Sequence, residues 1–205
     1  MSGLFITLEG GDGTGKSTQI GLLQEWFESR GREVVKTFEP GGSEFGREIR
    51  EIVLHSRGHI VARSEALLYA ADRAHNIATN VRPALERGAV VLQDRYIDSS
   101  VAYQGAGRVL DATEIRDLSM WATEGLVPDL TIVLDLDPTA SRERLLAENK
   151  KFDRLESEEI DFHTRVRDAY LAMAKAEPGR FVVIDATLDR LEIRDLIIER
   201  VGQLG

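Results

Sequence analysis

Leu4-Phe5-Ile6-Thr7-Leu8-Glu9-Gly10-Gly11-Asp12-Gly13-Thr14-Gly15-Lys16-Ser17-Thr18 joins a short apolar run to a glycine-rich turn, and a helical pattern follows it. Gly10, four residues, then Gly15-Lys16-Ser17 is the spacing at which backbone N–H groups wrap phosphates, a Lys reaches the outer ones and a hydroxyl ligates Mg²⁺. Glycines are needed because the backbone itself must close on the anion. Beyond Ser17, the apolar residues Ile20, Leu22, Leu23, Trp26 and Phe27 recur at helical spacing, so the helix N-terminus faces the phosphates. Strand, loop and helix in this order predict a nucleoside-triphosphate site. Its ATP-binding set is Gly10, Gly11, Asp12, Gly13, Thr14, Gly15, Lys16, Ser17 and Thr18.

Working outward, apolar runs at 4–8, 33–37, 89–93, 130–136 and 181–184 read as strands separated by helical patterns. They are short, nearly continuous and rich in Val and Ile, as strands covered on both faces of a parallel sheet are. Gly31 and Gly88 fall where helices stop before the second and third strands. The alternation predicts an α/β, doubly wound, three-layer sandwich around a five-stranded parallel sheet. Residues 1–205 are expected to form one domain, with a polar, irregular stretch at about 149–158 as its only excursion. A charged connection of that kind is equally consistent with a solvated loop.

The chain has 205 residues, 42% hydrophobic and 30% charged, with a formal charge of −9 and no cysteine. Disulfides and thiolate metal sites are therefore excluded. A net negative chain is not expected to have nucleic acid as its main partner, because that binding draws on a broad basic surface. Without a long apolar run or a basic, apolar leader pattern at the start, neither a membrane partner nor export is expected, and the cytoplasm is the natural compartment. His55 and His59 are four apart, but Gly58 interrupts the helix and no third ligand is evident, so they read as solvated.

Two further segments follow strands and should open on the same edge as the phosphate loop. They are Glu39-Pro40-Gly41-Gly42-Ser43 and Asp94-Arg95-Tyr96-Ile97-Asp98-Ser99-Ser100. An Asp ending a strand suits Mg²⁺ or its waters, and the adjacent Arg offers a planar fork for phosphate oxygens. The alternative for Asp94 and Arg95 is a helix cap and a surface cation.

These segments, with Leu68-Tyr69-Ala70-Ala71-Asp72-Arg73, Ala102-Tyr103-Gln104-Gly105 and Pro128-Asp129-Leu130-Thr131, occur in one order. Taken together they closely resemble bacterial thymidylate kinases, from Phe5 to Asp185. The resemblance implies a P-loop kinase with a short mobile lid, transfer of the ATP γ-phosphoryl group to dTMP, Mg²⁺ as cofactor and a homodimer built on helices near 64–82 and 112–125. It implies that Tyr69 stacks on thymine, that Arg73, Ser100 and Gln104 contact the base, and that Tyr103 lies near the sugar. Arg50 and Arg95 match contacts to the dTMP phosphate, and Asp12 matches a carboxylate between the loop and the nucleotide. Phe38 stands on the acceptor side where many members carry Arg; packing at a strand end is its simpler reading. Tyr69 could equally be a core aromatic and Arg73 a partner of Asp72 or Glu65.

In the expected mechanism Lys16 and the loop amides hold the ATP phosphates, and Ser17, Asp94 and Glu9 serve the metal. Arg95 and Arg50 then align the acceptor. Gly13 stands where one branch of the family has Arg, so the transition-state cation is expected from the lid: Lys150, Lys151 or Arg154.

Overall fold

The computed structural model describes residues 2–56, 58–147 and 152–204; Lys150 and Lys151 lie outside them. Strand β1 (Leu4–Glu9) leads through the glycine-rich turn into helix α1 (Lys16–Glu28), and β2 (Val34–Phe38) follows. Helices α2 (Glu44–His55) and α3 (Ala62–Asn76) come next, and α3 runs on through a π turn, Ile77–Val81, into α4 (Arg82–Glu86). After β3 (Val90–Asp94), the one-turn α5 (Ile97–Ser100) opens into a longer π segment, Val101–Gly107, and then α6 (Ala112–Ala122). The chain closes with β4 (Leu130–Asp135), α7 (Pro138–Ala147), α8 (Ile160–Ala176), β5 (Phe181–Asp185) and α9 (Arg190–Gly202).

All five strands are parallel in the order β2-β3-β1-β4-β5, with Phe5 opposite Val91 and Ile6 opposite both Leu92 and Leu130. Alternation along each strand builds the two cores. Ile6, Leu8, Val90, Leu92, Ile132 and Leu134 pack with Leu23 and Phe27 of α1 and Ile193 and Ile197 of α9. On the other face Phe5 and Val91 meet Ile77, Val81, Tyr96 and Ile97, while Val133 meets Phe162, Val166 and Tyr170 of α8. This is the expected three-layer arrangement. Because β1 lies between β3 and β4, the phosphate loop leaves the middle of the sheet, beside the end of β3.

Asp98 and Arg180 brace the floor of this edge. The buried Asp98 carboxylate accepts two bonds from the Arg180 guanidinium, at 2.7 and 3.0 Å. Thr131 donates to Asp98 and is hydrogen-bonded in turn to Thr7, so the pair ties β1 and β4 to the turn before β5.

Candidate active site

The loop between β1 and α1 is shaped by its glycines. Gly10 has φ 121°, and a Cβ there would collide with the Leu134 carbonyl of β4. Gly15 caps α1 in the left-handed region at φ 94°, turning the free amides of the first helical turn into the cleft. Lys16 Nζ donates to the carbonyls of Gly10 at 3.2 Å and Gly11 at 2.7 Å. Burial and the Arg95 charge pull the Lys16 pKa down, against Asp94, Asp12 and Glu9. Thr14 closes the loop from within by donating to the Gly11 carbonyl at 3.0 Å, while Ser17 and Thr18 stand exposed at the head of α1.

Arg95 follows β3 in the left-handed region, φ 67°, with its amide bonded to the Leu8 carbonyl at 3.0 Å. That bend sends its guanidinium across the base of the loop, where it donates to the Gly10 carbonyl at 3.0 Å and to Asp12 Oδ1 at 2.6 Å. Burial works against the Asp12 charge, but Arg95 and Lys16 outweigh it and hold that carboxyl at about 2. Asp94 Oδ1 is buried with no hydrogen-bond partner among the described residues, and its charge acts on Lys16. An unused carboxylate oxygen beside an exposed Ser17 is a donor set that fits Mg²⁺.

Glu9 departs from expectation. Its carboxylate accepts from the Tyr96 amide at 2.8 Å, the Ser99 hydroxyl at 2.6 Å and the Tyr170 hydroxyl at 2.8 Å, all within the protein. Burial, with Asp98 beside it, pushes its pKa up against those donors. Glu9 therefore anchors the turn behind Arg95 instead of standing toward a cation.

The acceptor-side residues line one cavity: Tyr69 and Arg73 from α3, Ser100 from α5, Tyr103 and Gln104 from the π segment, and Arg50 from α2. Arg73 is only 1% exposed, and its ion pair is with Glu39. Its three nitrogens donate to Glu39 Oε2 at 2.8 Å, the Ser119 hydroxyl at 3.0 Å and the Tyr96 carbonyl at 3.0 Å. Burial pushes the Glu39 carboxyl up to about 7, with Arg73 and Asn76 opposing the rise and Asp72 adding to it. The Tyr103 hydroxyl donates to Asp12 Oδ2 at 3.4 Å, and the Arg95 guanidinium sits 5.0 Å from its ring centroid. Tyr69 is buried in the wall; its phenol is raised well above the usual range by burial.

A wider, open cleft runs from Lys16 and Ser17 past Asp94 to Phe38 and shares Asp12, Glu39, Arg50 and Arg95 with the first cavity. Phe38 is 44% exposed on this cleft, with the Arg50 guanidinium 5.7 Å from its ring, so packing into the strand end is not its role. Arg50 itself donates to the Pro40 carbonyl at 2.8 Å. Lys36 lines the same cleft; no motif singles it out, and strand alternation from Phe38 is the one sequence signal that places it on that side. Arg154 is also placed differently from expectation. Its guanidinium is taken up by Glu65 of α3 and, at 2.8 Å, by the Val53 carbonyl of α2, so it is spent at the acceptor side.

A phosphate loop whose cleft shares its wall with a second cavity, lined by tyrosines and arginines, is the layout of a P-loop enzyme with room for a second, anionic substrate. The sequence profile described as thymidylate kinase matches residues 8–197. The protein named thymidylate kinase from Clavibacter sepedonicus is 72% identical over 186 residues, covering 91% of this chain and 88% of its own. Its counterpart from Clavibacter michiganensis subsp. michiganensis is 68% identical over 204 residues, covering 100% and 97%. The crystal structure of thymidylate kinase from Ehrlichia chaffeensis superposes with a TM-score of 0.79 at 31% identity, over 98% of this chain and 99% of that one. The chain belongs to the thymidylate kinase family. Its activity is phosphorylation of dTMP to dTDP with ATP as donor.

Proposed function

We propose that the transfer runs between the phosphate loop and the Tyr69–Arg73 cavity, with Arg95 and Arg50 at the crossing. The observation that carries this is that both hollows share Asp12, Arg50 and Arg95. ATP phosphates fill the loop, Lys16 leaving its internal carbonyls for them. An oxygen of the dTMP phosphate attacks the γ-phosphorus as the bond to the β-phosphate oxygen breaks, giving ADP and dTDP. A monoester phosphate has a second pKa near about 6, so at neutral pH it needs no general base, and positioning with charge neutralisation does the work. Mg²⁺ bound with ATP would be held by Ser17 and Asp94 and would supply part of that neutralisation. Tyr69 supplies a stacking face for thymine, worth about 1–3 kcal/mol.

Gly13 brings no cation to the loop, and Arg154 is paired with Glu65. The proposal therefore gives the transition-state cation to Lys150 or Lys151 of a lid at 149–158, within a single 1–205 kinase domain. A second copy would dock on the α3 and α6 side, where Leu67 and Trp121 are exposed. No helix among the described residues is long and apolar enough to cross a membrane.

The test is ADP release with ATP and Mg²⁺, measured in parallel with dTMP, dUMP, UMP, CMP, AMP and GMP. A strong preference for dTMP is expected. Preference for another acceptor would overturn the cavity reading, and release independent of acceptor would overturn the transfer reading.

A further inference from the structure

Glu65 lies one helical turn before Tyr69 on α3 and is fully buried. Its Oε1 accepts from Gln104 Nε2 at 2.9 Å and from Arg108 Nε at 3.3 Å, and its Oε2 receives Arg108 at 3.4 Å and the Arg154 guanidinium. Burial opposes its charge, but hydrogen bonds from Gln104 and Arg154 and the charge of Arg108 outweigh that and hold its pKa below the ordinary value. Glu65 is thus a carboxylate at neutral pH, and a carboxylate only accepts. Gln104 must turn its NH₂ toward it. The Gln104 carbonyl oxygen, which accepts no hydrogen bond among the described residues, is the atom left for the cavity wall shared with Tyr69, Arg73 and Ser100.

We infer that Glu65 is a specificity-setting positioning residue: it fixes the Gln104 amide with its carbonyl toward the acceptor, selecting a pyrimidine that carries N3–H over one that carries an N3 lone pair. Thymine and uracil offer the donor. Cytosine would face oxygen with nitrogen lone pair, leaving both unpaired in a buried site. The inference rests on the reading of this cavity as the base site of dTMP.

The test compares kcat/KM for dTMP and for 5-methyl-2′-deoxycytidine monophosphate, which keeps the methyl, sugar and phosphate and differs at N3 and the 4-substituent. The ratio is taken on one preparation, so the folded fraction cancels. The wild-type enzyme is expected to prefer dTMP strongly. Glu65→Gln, in which the facing group can donate or accept, lets Gln104 invert, and the ratio should fall about tenfold or more. Glu65→Asp, still acceptor-only, should keep the ratio even where both rates drop. In a Gln104→Met background, Glu65→Gln should change the ratio no further. An unchanged ratio in Glu65→Gln overturns the inference, as does an equal fall in both backgrounds. Should Glu65→Gln not fold, Gln104→Met alone must lose the preference, and its retention overturns the inference. A wild-type enzyme that does not discriminate would overturn the base-site reading itself.

Discussion

At Arg95 the backbone and the side chain make opposite demands. A left-handed φ of 67° costs a residue with a Cβ roughly 1–2 kcal/mol. The Leu8 carbonyl and the Glu9 carboxylate hold the turn on either side of the strained residue, and the guanidinium gains the Asp12 bond. That bend carries the guanidinium from the sheet end to the wall shared by the two hollows. Arg95→Lys keeps charge without the fork, so kcat/KM for dTMP should fall by about a hundredfold in steady-state kinetics; a change under about threefold would remove Arg95 from the transfer. Glu39 supplies a pH signature. Its carboxyl is raised to about 7 in the folded chain, so the native state keeps a proton that the unfolded chain has lost above its ordinary value of 4.5. Stability should therefore be full below that value and decline as pH rises through about 7. Urea unfolding across that window checks this, and Glu39→Gln should flatten this part of the profile.

The elements show why some of this was legible and some not. Five continuous apolar runs between helical patterns could be read directly, because burial on both sheet faces demands them. The π segment at Val101–Gly107 could not, since π and α turns draw on the same residues and differ only in which carbonyl each amide reaches. Here the Arg108 amide bonds to the Tyr103 carbonyl, five residues back, and that wider turn sets where Tyr103 and Gln104 point. Side-chain partners were likewise hidden: Glu9 ends its strand as a metal residue would, yet Ser99 and Tyr170, distant in sequence, both donate to its Oε2 while the Tyr96 amide takes Oε1. Asp98 belongs to the same motif but serves the frame. Removing one partner of a buried ion pair costs about 3–5 kcal/mol, so Asp98→Ala should lower unfolding free energy by that order in urea. A loss under about 1 kcal/mol would show that the pair adds little to the frame. On the lid-cation proposal, Lys150→Ala or Lys151→Ala is expected to lower turnover about tenfold or more while dTMP affinity stays nearly constant. Unchanged turnover in both would sink the lid-cation proposal.

At the scale of the molecule, strand order decides what meets what. Spacing along the chain predicts that the three loops share an edge; only the order β2-β3-β1 makes their ends immediate neighbours, so that Phe38, Asp94 and Glu9 end side by side. The helices α3 and α6, which pack against one another behind the acceptor cavity, leave Trp121 80% and Leu67 58% exposed. Covering a tryptophan that open would stabilise an interface by roughly 3–5 kcal/mol, enough for one residue to govern association. Sedimentation equilibrium should therefore find the native chain as a dimer and Trp121→Arg shifted to monomer, with Leu67→Arg acting in the same direction. Because α3 also carries Tyr69 and Arg73, the monomer should bind dTMP more weakly than it binds ATP relative to the native enzyme. A native chain that sediments as a monomer would remove the α3 and α6 face from assembly, and a Trp121→Arg dimer would move the interface elsewhere.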